Sequence, residues 1–124
     1  MQRMFKDNHS FEKRYAESKK IMVKYPGRIP IICERDPKSQ DVPDIDRKKY
    51  LTPSDLSIAN FMYVIRNRLK LSCEKSIYLF VDNIVMPATS QLLSTIYNEY
   101  SDDDGFLYIR YAGESTFGGD LENK

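Results

Sequence analysis

Apolar positions along this chain follow two periods, and their alternation lays out the elements. Phe11, Tyr15, Ser18 and Met22 fall at helical spacing with Ile21 beside them, which predicts a helix over residues 10–24. Ser10 is placed to cap it, Glu12 suits its positive end, and Tyr25, Pro26 and Gly27 stop it. A short helix over residues 3–8 precedes it. Residues 28–34, Arg-Ile-Pro-Ile-Ile-Cys-Glu, form a β-rich run. Pro30 lacks a ladder donor, so the strand is expected to have one side free there. Residues 36–46 are polar, hold two prolines and predict a turn region. Residues 48–52, Lys-Lys-Tyr-Leu-Thr, resume as a short strand whose lysines suit a sheet edge.

Residues 52–55, Thr-Pro-Ser-Asp, read as a helix entry with proline near the first turn. Ile58, Phe61, Met62, Ile65 and Leu69 then fall at i, i+3, i+4, i+7 and i+11, one apolar helix face. Arg66, Arg68 and Lys70 sit at its negative end. Residues 76–81 are the clearest strand, and Asp82 and Asn83 turn it toward Ile84 and Val85. Leu92, Leu93, Ile96, Tyr97 and Tyr100 mark a second helix, residues 102–105 a turn, and residues 106–111 the last strand. Without its first helix, this is the ββαββαβ order of a ubiquitin-like β-grasp. The predicted fold class is α+β, a ubiquitin-like β-grasp with an N-terminal helical extension. Residues 1–26 form the helical arm packed on the domain, residues 27–113 the β-grasp, and residues 114–124 a tail expected to be flexible.

Composition narrows the function classes. The chain has 124 residues, enough for one core, with 41% hydrophobic and 30% charged residues. No run approaches the ~20 apolar residues of a membrane span, and the N-terminus lacks the apolar region of a secretory signal. Cys33 and Cys73 fit free thiols in a reducing compartment. One histidine and two cysteines argue against a structural zinc site. The net charge of +1 hides a split. Residues 1–75 hold 17 Lys and Arg against 10 Asp and Glu, and residues 76–124 hold 2 against 8. The basic part reads as a docking surface for acidic peptides, anionic lipid or nucleic acid, or as a solvated helix surface.

Candidate chemistry is sparse within the chain itself. The acidic run at residues 102–104 lacks the further ligands of a calcium loop and reads as a turn. His9 has no nucleophile elbow near it and reads as a surface histidine. Five glycines form no phosphate loop. No catalytic, metal or cofactor site is expected, and the chain is not expected to be an enzyme. The tail holds Phe117 followed by Gly118 and Gly119. Glycine backbone enters narrow clefts, so the tail reads either as a substrate of other enzymes or as a frayed end. The strand at 48–52 offers backbone donors and acceptors to which an extended peptide can add. Ile21, Pro30, Ile32, Leu51, Pro53, Leu56 and Phe61 could form pockets for that peptide or belong to the core.

The chain resembles the ubiquitin-like autophagy modifiers, the family that includes GABARAP and the microtubule-associated protein light chain. Six blocks carry the resemblance: residues 11–14 (Phe-Glu-Lys-Arg), 28–34, 46–51 (Asp-Arg-Lys-Lys-Tyr-Leu), 77–81 (Ile-Tyr-Leu-Phe-Val), 104–108 (Asp-Gly-Phe-Leu-Tyr) and 116–118 (Thr-Phe-Gly). They stand in order from about Phe5 to Gly118.

The resemblance implies that a cysteine protease cuts between Gly118 and Gly119. Activating and conjugating enzymes would then pass the Gly118 carboxylate to phosphatidylethanolamine, so that the lipid is the only attached group and no separate cofactor is needed. It implies a cytoplasmic protein that is held on autophagosome membranes once conjugated, with no nucleic-acid partner. It also implies two pockets for receptors bearing an aromatic-x-x-aliphatic motif. Glu17, Ile21, Pro30, Ile32, Lys49, Leu51 and Phe106 would form the first. Tyr50, Pro53, Leu56, Phe61, Val64 and Arg68 would form the second. Arg28, Lys48 and Lys49 would meet acidic residues beside the motif, and Tyr78 and Phe80 would contact the protease. Thr52 departs from the family's aliphatic residue and implies a more polar second pocket. The alternative is an unconjugated adaptor that binds acidic peptides or tubulin through the basic N-terminal face.

Overall fold

The computed structural model describes residues 4–113. Its helical arm comprises α1 (Phe5–Asn8) and α2 (Phe11–Lys24). The strands β1 (Arg28–Arg35) and β2 (Lys49–Pro53) lead into α3 (Ile58–Leu69). The strands β3 (Tyr78–Val81) and β4 (Ile84–Met86) lead into α4 (Leu93–Tyr100) and β5 (Leu107–Ala112). One sheet has the order β2-β1-β5-β3-β4, with β1 and β5 parallel at its centre and the other neighbours antiparallel. This is the ubiquitin-like arrangement that the order of elements predicts.

Strand alternation divides the burial between two sheet faces. Ile29, Ile31 and Cys33 of β1, with Leu107, Ile109 and Tyr111 of β5, face Ile58, Phe61, Ile65 and Leu69 of α3. The opposite face carries Ile32 and Phe106, which lie under Phe5 and Ile21 of the helical arm. A strand covered on both faces needs no polar side. That is why β1 is buried without interruption from Ile29 to Glu34. The β5 ladder begins at Ile31, so Pro30 has a ladder neighbour only in β2 and its missing N–H costs nothing.

Two helices differ from their sequence patterns. The cap of α3 is Ser57, whose hydroxyl accepts the Asn60 N–H at 3.1 Å. Residues 52–55 do other work. Pro53 closes β2, the Leu56 N–H bonds the Pro53 carbonyl, and the Ser54 N–H bonds Gly27. In α2, Ser18 is the buried residue. Phe11 and Tyr15 stack on each other at the surface with centroids 5.8 Å apart, and Met22 is also exposed. The helix is seated by small and polar groups because backbone comes close to it: the Ser18 hydroxyl donates to the Asp104 carbonyl.

That close approach demands a glycine. Gly105 has φ +93°, and a Cβ there would meet Ser18 Oγ and lie 2.9 Å from Ser18 Cβ. Gly27 also has a positive φ, +88°, but has open space around it. Gly105→Ala is expected to cost about 2–4 kcal/mol, combining left-handed strain with overpacking. Gly27→Ala is expected to cost about 1–2 kcal/mol, the strain alone. Urea unfolding of the two variants checks the difference.

Candidate peptide-binding edge

Among the described residues, the outermost strand β2 has one edge without a strand neighbour. The Cys33 N–H donates to the Lys48 carbonyl at 2.7 Å. By antiparallel alternation, Tyr50 and Thr52 also turn their backbone groups toward β1, while Lys49 and Leu51 present theirs outward. The Arg28 guanidinium fits this reading. Its Nη1 donates to the Leu51 carbonyl at 3.3 Å and so covers one outward acceptor. A charged side chain over an edge carbonyl discourages unplanned strand pairing.

Side chains of Lys49 and Leu51 leave β2 on the α2 face. Pro30, Ile32 and Phe106 are buried there and form a floor. Ile21, Leu51 and Glu17 are half-buried above it. Lys49 lies across them, with Nζ 2.6 Å from a Glu17 carboxylate oxygen and 5.4 Å from the centroid of the Phe5 ring. The Lys49–Glu17 pair is solvent-exposed and holds this bar only weakly. Phe5 belongs to the site although sequence reasoning passed over it. It stacks on His9 at 4.3 Å and meets Phe106 edge-on at 5.7 Å. Its signal was the one apolar residue of α1, Phe-Lys-Asp-Asn. His9 is half-buried against it, with Nδ1 3.0 Å from the Phe5 carbonyl, and is not a free surface residue.

On the α3 face, Tyr50 packs edge-on against Phe61 with centroids 5.7 Å apart. Phe61 is wholly buried and supports this surface from beneath. Leu56 is half-buried, while Pro53, Val64 and Arg68 are exposed. Arg68 grips Asp46 with two hydrogen bonds, 2.8 and 3.3 Å, and holds that carboxyl below the usual carboxylate range. Burial pushes the Tyr50 hydroxyl up to about 12. A groove of about 620 Å³ runs beside both surfaces, lined by Phe5, His9, Asp46, Arg47, Lys48, Lys49 and Arg68. Four cations against one carboxylate give it a positive potential. Lys48 is also tied inward: its Nζ lies 3.1 Å from the buried Glu34 carboxylate, which accepts the Phe5 N–H at 2.6 Å as well.

The other expected site residues lie elsewhere. Tyr78 and Phe80 share a face of β3, separated from β2 by β1 and β5. Tyr78 is half-buried and Phe80 buried. Cys33 is buried, which pushes its thiol far up, and Cys73 is exposed. Phe117, Gly118 and Gly119 lie outside the described residues. Among the described residues, no helix is long and apolar enough to cross a membrane.

A family model described as "Autophagy protein Atg8 ubiquitin like" matches residues 13–118. The chain belongs to the Atg8 ubiquitin-like family. It is 58% identical over 118 residues to Autophagy-related protein 8 of Mycosarcoma maydis, covering 95% of this chain and 98% of the relative. The Schizosaccharomyces pombe protein of the same name is 58% identical over 118 residues, covering 95% of this chain and 96% of its own. Among solved structures, the chain resembles the crystal structure of Trypanosoma brucei ATG8 with a TM-score of 0.84 and 39% identity, over 94% of this chain and 99% of that one. Family membership makes the chain an autophagy-related ubiquitin-like modifier.

Proposed function

We propose that this protein is a modifier of the kind typified by GABARAP and the microtubule-associated protein light chain. It is cut after Gly118, conjugated through that residue to phosphatidylethanolamine, and held on autophagosome membranes. The chemistry supports the order of events. A freed carboxylate does not acylate an amine at neutral pH without activation, and glycine is the least crowded acyl donor. The two acyl chains of the lipid meet the demand of stable anchoring, which one chain does not. In this reading the enzymes are partners, a cysteine protease followed by activating and conjugating enzymes, and the chain itself catalyses nothing.

In the same reading, the conjugate recruits receptors through β2. The observation that carries this is the outward backbone of Lys49 and Leu51, flanked by apolar surfaces on both sheet faces. An aromatic-x-x-aliphatic peptide pairs with those groups, its aromatic residue over Ile21, Leu51 and Phe106 and its aliphatic residue beside Tyr50, Leu56 and Val64. Acidic residues before the motif exchange with Glu17 and Leu51 for Lys49 and Arg28. Calorimetry with such a peptide tests it. Leu51→Ala is expected to weaken binding about tenfold, the cost of truncating a central contact. Val85→Ala on the opposite edge strand is expected to change nothing. Equal affinities for the native protein and Leu51→Ala would remove β2 as the docking edge.

A further inference from the structure

We infer that Ser39, Asp41 and Lys75 clamp the root of the C-terminal tail at Gly113 and so position Gly118 for the processing protease; the inference rests on the processing reading above. Gly113 stands one residue beyond the last ladder pair of β5, Ala112 with Tyr78. Its N–H donates to the Ser39 hydroxyl at 2.9 Å. That hydroxyl donates in turn to one Asp41 carboxylate oxygen at 2.7 Å. The other oxygen lies 2.7 Å from Lys75 Nζ. A single backbone N–H thus heads a relay that ends on an ion pair.

Each member of the clamp is fixed from its own side. Val42 and Ile45 anchor the loop of residues 36–46 in the main core, and the Tyr111 hydroxyl donates to the Pro43 carbonyl at 2.6 Å. Ser39 is wholly buried. The Lys75 carbonyl accepts Arg66 Nη1 at 2.5 Å, which ties that residue to the end of α3. Lys75 and then Ser39 hold the Asp41 carboxyl below the usual carboxylate range. The carboxylate rests directly on the Gly113 backbone: a Cβ there would meet Asp41 Oδ2 and lie 2.7 Å from Asp41 Cγ.

Ladders to β1 and β3 already hold β5. What the clamp adds is a fixed position for the first residue past the sheet, from which the tail starts. Gly118 is five residues on, so it stays within about 17 Å of that root. Tyr78, a proposed protease contact, pairs with Ala112 and so sits beside the root. A protease that grips this face meets the Gly118–Gly119 bond at a set distance. The cut is a hydrolysis, in which that bond breaks and water completes the new carboxyl and amine. Loosening the root slows it, because the reacting bond is then misplaced in the cleft.

The test compares the native chain with Gly113→Ala, Asp41→Ala, Lys75→Met and Lys75→Arg. Gly113 has no positive φ, so alanine there displaces the carboxylate without backbone strain. Each full chain is exposed to the same cell extract at low concentration, and intact mass follows the rate at which the product ending at Gly118 appears. Gly113→Ala and Asp41→Ala are expected to slow the cut about tenfold, within the loss that a small misplacement of a substrate causes. Lys75→Met is expected to slow it as well, and Lys75→Arg to recover most of that loss. Melting temperature and affinity for the aromatic-x-x-aliphatic peptide are expected to stay near native, because the Asp41–Lys75 pair is partly exposed and far from a core contact. Cut rates within about twofold of native in Gly113→Ala and Asp41→Ala would overturn the inference and leave processing at Gly118 standing. Peptide affinity that falls along with the rate would make the clamp a staple of the whole fold and also overturn the inference. A native chain that stays uncut would overturn both.

Discussion

Asp104→Ala is expected to destabilise the protein by about 3–5 kcal/mol, a large share of the 5–15 kcal/mol that holds a typical domain together. The Asp104 side chain is wholly buried. One carboxylate oxygen lies 2.6 Å from Arg14 Nη1 and accepts the Tyr108 hydroxyl at 2.5 Å, and the other accepts the Phe106 N–H at 2.9 Å. Burial alone would lower the Arg14 guanidinium, but the bonds to Asp104 and Tyr108 outweigh it and leave it raised. Burial and the carboxylate together push the Tyr108 hydroxyl far up. Removing the carboxylate leaves a largely buried cation and an orphaned hydroxyl at the seat of α2. Arg14→Met is expected to cost a similar amount, because it leaves the buried anion. The double variant is expected to lose clearly less than the two single losses combined, since each removes the same pair. Urea unfolding measures all three. Because α2 carries Glu17 and Ile21, peptide affinity at β2 is expected to fall with it, although Asp104 touches neither.

Gly118→Ala is expected to abolish conjugation, lowering the lipid-linked product at least about a hundredfold, while leaving the unfolding midpoint unchanged. In the proposed reaction the reacting carboxyl sits on this residue, and a Cβ beside it would crowd the protease cleft and the thioester. Gly119→Ala is expected to slow the cut several-fold and leave conjugation of the released protein intact, because Gly119 departs with the residues that follow it. The intact mass after exposure to cell extract distinguishes the two. The native chain should end at Gly118 and the Gly118→Ala chain should keep Lys124. A mature chain ending at Gly119 would move the reactive position by one residue.

Some of this was legible in the residues. The run Ile58, Phe61, Ile65 and Leu69 marked α3 and its buried face, because four apolar residues at helical spacing have only one way to leave water. The alternation in residues 106–111 gave β5, shifted by one residue to Leu107–Ala112. Lysines placed 48–52 at an edge, and β2 is an edge strand. Helix α2 was misleading: its stripe of Phe11, Tyr15 and Met22 lies at the surface, and Ser18, with Ile21 beside it, takes the inward face where the backbone at Asp104 and Gly105 comes close. Ser57 does not stand out as the cap because Pro53, four residues earlier, gives the louder local signal.

The sequence alone determined the element order, the ubiquitin-like fold and the family blocks, since these depend on spacing along the chain. It also named most side chains that line β2. Tertiary structure decided which of them are floor and which are surface. Pro30, Ile32, Phe61 and Phe106 are buried supports, whereas Lys49, Val64 and Arg68 are exposed. It decided that the backbone of Lys49 and Leu51 points outward, because one hydrogen bond from Cys33 to Lys48 sets the register. It paired Lys49 with Glu17, Arg68 with Asp46 and Arg14 with Asp104, partners up to 90 residues apart. Such pairings depend on which distant groups the sheet brings together, and no local pattern carries that information.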